Sequence, residues 1–371
     1  PVSGNLICIE SDTAGMLTNE GSVFTGTLPA NVNIANTSIE LWGKMWAMVM
    51  MPLPKNRHDR LNLLSHELFH SAQKRLGFSP HNPDNSHLDR QEGRIYLRLE
   101  LEALKKAATA NSPQESDKHI SNALMFGMYR SEVFPSADSS ENLLDLNEGL
   151  AEFTGAIHSG RDRREMASHF TESIDRFVKE QTFVRSFSYQ TIPVYGYFLS
   201  ARKSGWNLQI NSDTYLRSFF LKEFGVEIPE DPAVHVENAM DEYNGRIIVD
   251  EESARELERT KKIAGYRKVL VDDPHLQLPL VNMNMSFDYR MIMPIDELGT
   301  VYPVIRVTDN WGILTVEKGA LISKDWSKVS VSMPLTVSGS SAAGDGWTLE
   351  LNDGYELVHN EGTGMYGLEK K

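Results

Sequence analysis

The spacing of apolar residues changes twice along the chain, which predicts three regions. Residues 1–57 carry short apolar runs, such as Leu6–Ile9, between glycines and prolines, and this pattern predicts strands and turns. Over residues 58–270 apolar residues recur every three or four positions, which predicts a mostly helical region. Over residues 271–371 short β-branched and aromatic runs, such as Trp311–Val316, alternate with Gly and Asp turns. These runs predict a small all-β domain, so the expected fold class is α+β.

Two neighbouring segments around residue 50 have different periods. The long, Met-rich run Ile39–Met51 ends at Pro52, which predicts one strand stopped by proline. Its composition fits a buried core strand and the edge strand of an active-site sheet equally well. The next segment, 59–76, predicts a helix that packs into the core through an apolar stripe. The stripe consists of Leu61, Leu64, Leu68 and Ala72.

Six further segments are rich in strong helix formers or carry helix-start and helix-stop residues. The helices predicted from them span residues 90–110, 114–133, 139–158, 161–180, 194–204 and 212–223. A charged run over 250–262 predicts one more helix, with a solvated surface.

The chain of 371 residues is acidic, with 37 Lys and Arg against 51 Asp and Glu and a net charge of −14. Nucleic acid is therefore not expected as the main partner, because phosphate binding needs a basic surface. No run approaches the roughly 20 apolar residues of a transmembrane helix, so no transmembrane segment is expected. The single cysteine, Cys8, excludes an intramolecular disulfide.

The most specific motif is the segment His66–His70, HELFH, which has the form HExxH and lies in the predicted helix 59–76. Histidines four residues apart lie about 40° apart on one helix face, so both imidazoles can reach one metal ion. Glu67 then lies beside the metal and can take a proton from water and return it to a leaving amine. The composition gives this motif by chance about 0.03 times, which favours a Zn²⁺ site over two unrelated histidines.

A second motif, the segment Asn147–Phe153 with the sequence NEGLAEF, lies in the predicted helix 139–158. It resembles the NEGxAx[YF] segment of gluzincins, zinc metallopeptidases that include the thermolysin-like enzymes and a family of aminopeptidases. The resemblance implies a zincin-type catalytic domain in which Glu148 is the third zinc ligand, after His66 and His70. Three protein ligands leave one position for water, which is typical of a catalytic zinc site.

The same resemblance implies supporting residues. A carboxylate four residues after the third ligand accepts a hydrogen bond from a ligating histidine, and Glu152 is assigned to this role towards His66. Gluzincins also carry a Tyr or His near the start of a later helix that stabilises the oxyanion of the reaction. Tyr195 is the first candidate for that position and Tyr189 the second, and a packing role is the alternative for either.

The chain departs from the aminopeptidases in two respects. The gap between His70 and Glu148 is much longer, and the predicted helices at about 90–133 indicate that the insert is a family-specific subdomain beside the cleft. The GxMEN exopeptidase segment is absent, because Trp46–Met50 holds its place without a glutamate. Aminopeptidase specificity is therefore not supported, and the choice between endo- and exo-cleavage stays open.

The motifs predict a zinc-dependent metallopeptidase acting on a peptide or protein substrate. Its parts are an N-terminal β part of the catalytic domain over 1–57, a helical zinc part over 58–270 and a C-terminal all-β domain over 271–371. A zincin-fold binding protein without peptidase activity and a zinc hydrolase of a non-peptide substrate are the alternatives. Because the chain begins at Pro1 and such enzymes usually work outside the cytoplasm, a periplasmic or secreted location is expected. The oligomeric state stays open.

Overall fold

The computed structural model describes residues 5–29, 32, 34–79, 81, 83–288 and 291–371. Some residues of each predicted region lie outside the described ones. They are 1–4, 30, 31 and 33 in region 1–57, residues 80 and 82 in region 58–270, and residues 289 and 290 in region 271–371. Helices account for 47% and strands for 22% of the structure, in the predicted order, which confirms the α+β class. The chain divides into two compact units, Pro1–Asp250 and Glu251–Lys371.

The first unit begins with two small antiparallel sheets. The first sheet has three strands in the order β1-β3-β2 and the second is a hairpin of β4 and β5. The bounds are β1 Asn5–Cys8, β2 Thr18–Asn19, β3 Phe24–Thr27, β4 Thr37–Leu41 and β5 Lys44–Met48.

The prediction of a single strand over Ile39–Met51 is wrong, because the chain reverses direction at Trp42 and Gly43. Leu41 pairs with Lys44 across a two-residue turn whose central residues have φ angles of 52° and 79°. Positive φ at both positions gives the turn a twist that matches an antiparallel hairpin. Apolar residues continue on both sides of the turn, so the hydrophobic pattern does not reveal the reversal.

Helices form the rest of the first unit, and the last of them continues into the second unit. Their bounds are α1 Arg57–Gln73, α2 Gln91–Thr109, α3 Pro113–Val133, α4 Ala137–Leu144, α5 Leu150–His158, α6 Arg163–Phe177, α7 Ser188–Arg202, α8 Leu216–Phe224, α9 Pro232–Met240 and α10 Gly245–Arg267. The helix predicted over 139–158 is interrupted by one π-helical turn, Asp145–Gly149, between α4 and α5. None of the helices in the described ranges is both long and apolar enough to span a membrane.

Helix α1 buries its polar residues. The prediction that a stripe including Leu61 and Leu68 packs into the core is wrong, because Leu68 is 56% exposed and Leu61 is half-buried. The helix contacts α5 and both strands of the hairpin. Its buried residues are Asn62, His66, Glu67 and Gln73. Partners for these polar side chains, rather than apolar contacts alone, therefore determine how α1 is held.

The predicted insert at about 90–133 forms α2 and α3, which belong to the main core of the first unit. Residues of both helices, among them Leu97, Leu101 and Phe126, are fully buried. They share one apolar cluster with residues of α5 and α7 such as Phe153 and Leu199. The insert is therefore an integral part of the unit that carries the HExxH helix, and not a separate subdomain.

A network of charged side chains crosses this core. Arg130 is fully buried and donates to both carboxylate oxygens of Glu141, at 2.8 and 2.7 Å, and to Glu100 at 2.8 Å. His87 bonds to Glu141 at 2.7 Å, and Arg217 forms an ion pair with it. Burial of so many charges is tolerated only when each is paired and hydrogen-bonded, as here. The network joins α2, α3, α4 and α8.

Beyond α10 and a π-helical turn at Lys268–Asp272, the second unit is mostly β. Its two sheets have the orders β17-β18-β6-β13-β12-β9-β8 and β14-β15-β16-β11-β10-β7. Leu278 and Val329 of the first sheet share a core with Val307 and Leu314 of the second, as in a two-layer β structure. The bounds are β6 His275–Pro279, β7 Asn284–Phe287, β8 Met293–Ile295, β9 Gly299–Tyr302, β10 Ile305–Asp309, β11 Gly312–Val316, β12 Ala320–Ile322, β13 Lys328–Ser332, β14 Pro334–Ser338, β15 Ser341–Gly344, β16 Trp347–Leu351, β17 Tyr355–His359 and β18 Tyr366–Lys370.

The close approach of α5 to α1 gives a stability prediction. A Cβ atom at Gly155 would lie 2.7 Å from the backbone oxygen of Asn62 and 2.6 Å from its Nδ2. Gly155→Ala should lower the free energy of unfolding by about 1–3 kcal/mol from overpacking, less the gain in helix propensity of up to about 1 kcal/mol. Urea denaturation measures this change.

Gly265→Ala is the matched control, because Gly265 is an exposed helical glycine with no atom within 4 Å of its Cβ position. This change should be neutral or stabilising by up to about 1 kcal/mol. Equal effects of the two substitutions would show that α1 and α5 are not in tight contact at Gly155.

Candidate metal centre

Three potential metal ligands meet between α1 and the π-helical turn. His66 and His70 extend from one face of α1, and their Nε2 atoms lie 3.0 Å apart. The Oε2 atom of Glu148 lies 3.6 Å from His66 Nε2 and 3.4 Å from His70 Nε2. Among the described residues, this is the group of His, Cys, Asp and Glu side chains whose ligand atoms converge within 4.8 Å. All three residues are those that the sequence motifs predict.

The π-helical turn places Glu148 where it can face the histidines. Single π turns inside α-helices occur frequently at functional sites, because the extra residue changes the direction of the side chains. Gly149 follows Glu148 and allows α7 to approach, since a Cβ atom there would lie 2.6 Å from Ile192 Cγ1. Asn147 Nδ2 donates to Glu148 Oε1 at 3.1 Å. The neighbours of Glu148 along the chain therefore help to hold its carboxylate in place.

Glu152 connects α5 to α1 behind His66. Its Oε2 atom lies 2.8 Å from His66 Nδ1, and its Oε1 atom accepts from Asn62 Nδ2 at 2.9 Å. Arg161 in turn donates to Asn62 Oδ1 at 3.2 Å. A carboxylate on Nδ1 fixes the imidazole so that Nε2 faces Glu148. The sequence assigns Glu152 to His66 but does not identify Asn62 or Arg161.

Gln73 contacts Nδ1 of His70 in the way that Glu152 contacts Nδ1 of His66. Its Oε1 atom lies 2.8 Å from His70 Nδ1, and its Nε2 donates to the backbone oxygen of Asn147 at 2.8 Å. The sequence motifs do not identify Gln73. Helical spacing could have identified Gln73, because residues three apart on a helix share a face and Gln73 follows His70 by three.

Electrostatics at the cluster favour a cation. Burial lowers the pKa of His66, but hydrogen bonds to Glu148 and Glu152 outweigh this effect and raise the pKa to about 9. Burial raises the pKa of Glu148, but hydrogen bonds to His66, His70 and Tyr189 outweigh it and hold that pKa well below its usual range. Negative charge is therefore concentrated where the two Nε2 atoms meet.

Glu67 lies beside the cluster and is nearly fully buried, with 5% of the residue exposed. Its Oε2 atom has no hydrogen-bond partner among the described residues. Burial raises the pKa of this carboxyl despite the opposing charges of His66 and His70. A buried carboxyl whose pKa is raised and whose Oε2 atom has no partner among the described residues is suited to take up and release a proton.

The two candidate tyrosines have different environments. The Tyr189 hydroxyl donates to Glu148 Oε2, and its ring stacks on His66 at a centroid distance of 5.4 Å. Burial and the charge of Glu148 raise the pKa of Tyr189 well above its usual range, so the hydroxyl keeps its proton. Tyr189 is therefore a hydrogen-bond donor within the cluster.

Tyr195, the first candidate from sequence, does not reach the cluster. Its buried hydroxyl donates to Glu100 Oε1 at 2.8 Å, within the charge network of the core. The predicted helix starts at 194, which would put Tyr195 in its first turn, but α7 starts at Ser188. Residues six apart on an α-helix point in directions about 120° apart, so Tyr189 and Tyr195 cannot both face the histidines.

The donor set fits a zinc ion. Two imidazole nitrogens and one carboxylate oxygen are the ligands of many catalytic zinc sites, and they suit other first-row metals as well. Glu67 interacts electrostatically with His66, His70 and Glu148 but is not one of the converging donors, as the HExxH pattern requires. Comparisons of the chain with protein-family models, curated proteins and solved structures found no match.

Metal binding predicts a thermal shift. Zn²⁺ added to metal-free protein should raise the Tm, since a ligand that binds only the folded state at 100 times its Kd stabilises it by about 2.7 kcal/mol. His66→Ala removes one of three donors and should abolish most of this rise. Thermal denaturation followed by circular dichroism measures the shift. His158→Ala, an exposed histidine at the end of α5, should keep the full rise, and an equal rise in His66→Ala would contradict the site.

Proposed function

We propose that the protein is a zinc-dependent metallopeptidase of gluzincin type. The observation that carries the proposal is the convergence of His66, His70 and Glu148 beside the buried Glu67, whose Oε2 atom has no hydrogen-bond partner among the described residues. Three protein ligands would hold the zinc ion and leave a position for a further ligand. When bound, zinc supplies Lewis acidity, which lowers the pKa of water and stabilises negative charge on oxygen.

Glu67 is the proposed general base and then general acid. Its carboxylate removes the proton from the attacking water and later delivers it to the leaving amine nitrogen. Efficient proton transfer in both directions requires a pKa close to the working pH, and burial raises the pKa of Glu67 in that direction. A protein that only binds metal has no use for a carboxyl kept without a partner, so Glu67 favours an enzyme over a binding protein.

Tyr189 is the proposed donor to the oxyanion. Its hydroxyl keeps its proton and donates to Glu148 Oε2, at the edge of the ligand cluster. A donor at this place can stabilise negative charge that develops on the carbonyl oxygen of a substrate. Glu152 and Asn62 hold His66, and they act on the reaction only through that histidine.

A peptide or protein is the proposed substrate. The net charge of −14 makes an anionic partner such as nucleic acid unfavourable. A periplasmic or secreted location stays a prediction. A zinc hydrolase of a non-peptide substrate uses the same residues, so the substrate class is decided by the assay below.

Replacement of Glu67 tests the mechanism. Glu67→Gln should lower kcat on a cleaved peptide by about 10²–10⁴, the usual contribution of a general base, with zinc content unchanged. The assay is digestion of an unstructured peptide library by zinc-loaded protein, followed by mass spectrometry. Glu132→Gln, an exposed glutamate of α3, is the control and should keep wild-type activity.

Three results, from this assay and from a parallel assay with small esters and amides, would contradict the proposal. Equal activity of the wild type and Glu67→Gln would refute the role of Glu67. Bound zinc without cleavage of any peptide would favour a binding protein. Hydrolysis of small esters or amides without peptide cleavage would favour the non-peptide hydrolase.

The two tyrosines give an independent prediction. Tyr189→Phe should lower kcat by about 10²–10³ with little change in KM, because it removes a donor that acts on the transition state. Tyr195→Phe removes only a hydrogen bond to Glu100 and should lower Tm without a comparable loss of kcat. Steady-state kinetics and thermal denaturation separate the two effects, and the reverse pattern would restore Tyr195 as the candidate.

A further inference from the structure

The metal ligands come from two segments that are far apart in sequence. His66 and His70 lie on α1, whereas Glu148 lies in the π-helical turn, beyond the whole of α2 and α3. The chain itself does not hold these segments together, so contacts between side chains must do so. Two of these contacts involve the ligating histidines or the residue before Glu148: Glu152 with His66, and Gln73 with the backbone of Asn147, 74 residues away in sequence.

Gln73 can adopt only one orientation of its side-chain amide in this place. A backbone oxygen can only accept a hydrogen bond, so the NH₂ group of Gln73 must face Asn147 O, at 2.8 Å. The carbonyl Oε1 of Gln73 then faces His70 Nδ1, also at 2.8 Å, and can only accept. His70 must therefore carry its hydrogen on Nδ1. In the neutral imidazole, Nε2, which faces Glu148, then carries the lone pair through which a histidine binds a metal.

This arrangement differs from the one at His66. Glu152 holds His66 through a carboxylate, which has acceptors but no donor. A carboxylate at position 73 could accept from His70, but it would set an oxygen against the carbonyl oxygen of Asn147. An amide is the side chain that satisfies both neighbours at once. Gln73 is 3% exposed, so water does not easily replace either hydrogen bond.

We propose that Gln73 is a positioning residue of the metal centre. It selects the tautomer of His70 and sets the distance between α1 and the peptide group that precedes Glu148. The inference rests on the proposed metal site but concerns a residue that takes no part in the chemistry of that site. Its effect is on metal affinity and on the geometry of the ligands, through His70 and Glu148.

Two substitutions separate the two effects. Gln73→Met has a similar length and removes both hydrogen bonds, whereas Gln73→Glu keeps the acceptor for His70 and removes the donor to Asn147. Val236→Ala is the control, because Val236 is a buried residue of α9 outside the cluster and its truncation lowers stability without touching the ligands. All variants are made in the full chain and compared at a temperature where each is folded.

The measurements are Zn²⁺ affinity by competition with a chromophoric chelator, and the visible absorption spectrum of the Co²⁺-loaded protein. Gln73→Met should bind Zn²⁺ about 10–100-fold more weakly than the wild type, as expected when the partner of a ligating histidine is lost. The Zn²⁺ affinity of Gln73→Glu should lie between those of the wild type and Gln73→Met. The Co²⁺ spectrum should change in Gln73→Met and stay unchanged in Val236→Ala, because it reports the arrangement of the ligands and not overall stability.

The results distinguish this inference from the proposed function. Suppose that the wild type binds Zn²⁺ and that Gln73→Met binds it with an affinity within about threefold of the wild type. This difference is far smaller than the expected 10–100-fold and would overturn the role of Gln73 alone. Failure of the wild type to bind Zn²⁺ would overturn the metal site and this inference with it. If Gln73→Met does not fold, the Zn²⁺ affinity of Gln73→Glu tests the inference instead. A wild-type affinity in Gln73→Glu would overturn the role of the hydrogen bond from Gln73 to Asn147.

Discussion

The carboxylate of Glu152 bonds to His66 with one oxygen and to Asn62 with the other, and this contact joins α5 to α1. The buried face of α1 is polar, and a buried polar group left without a partner costs about 1–3 kcal/mol. Glu152 supplies partners near the middle of the helix, and Gln73 reaches Asn147 at its end. Hydrogen bonds are directional, whereas apolar contacts are not. Directional contacts of this kind define the positions of the histidines more narrowly than an apolar stripe would.

The same contacts bring three carboxyl groups, those of Glu67, Glu148 and Glu152, around His66 in a largely buried region. Like charges at short range repel, and burial increases the cost of each. The carboxylates around His66 raise its pKa to about 9, so the imidazole holds a proton unless another cation takes the place of that proton. A divalent cation competes for that position with twice the charge. The cluster is thus built at some cost in stability and is suited to binding a cation, as functional sites often are.

Periodicity along the chain predicts the α+β class, the order of the helices and the β character of the C-terminal unit, because these depend on local spacing. It also places His66 beside His70, since residues four apart share a helix face. It does not predict which face of α1 is buried, because Leu68 and Glu67 are neighbours and only the partners on α5 decide between them. The hydrophobic pattern does not reveal the reversal at Trp42, because apolar residues continue on both sides of the turn. It also does not reveal the start of α7, on which the choice between the tyrosines depends, because that helix contains Pro193.

The π-helical turn Asp145–Gly149 separates two carboxyl groups with opposite requirements. Asp145 lines the same buried cavity as Glu100, Arg130 and Arg217, and burial and the charge of Glu141 raise its pKa well above its usual range. The raised pKa therefore favours the protonated, neutral form of Asp145 within the core. In a regular α-helix, residues three apart share a face, so Glu148 would lie beside Asp145 and be subject to the same loss of solvation. The extra residue in the π turn moves the two apart, and Glu148 keeps its negative charge for the histidines. The charge network of the core and the ligand cluster thus constrain different residues of one short segment, and the insert helices α2 and α3 supply Glu100 and Arg130 to that network.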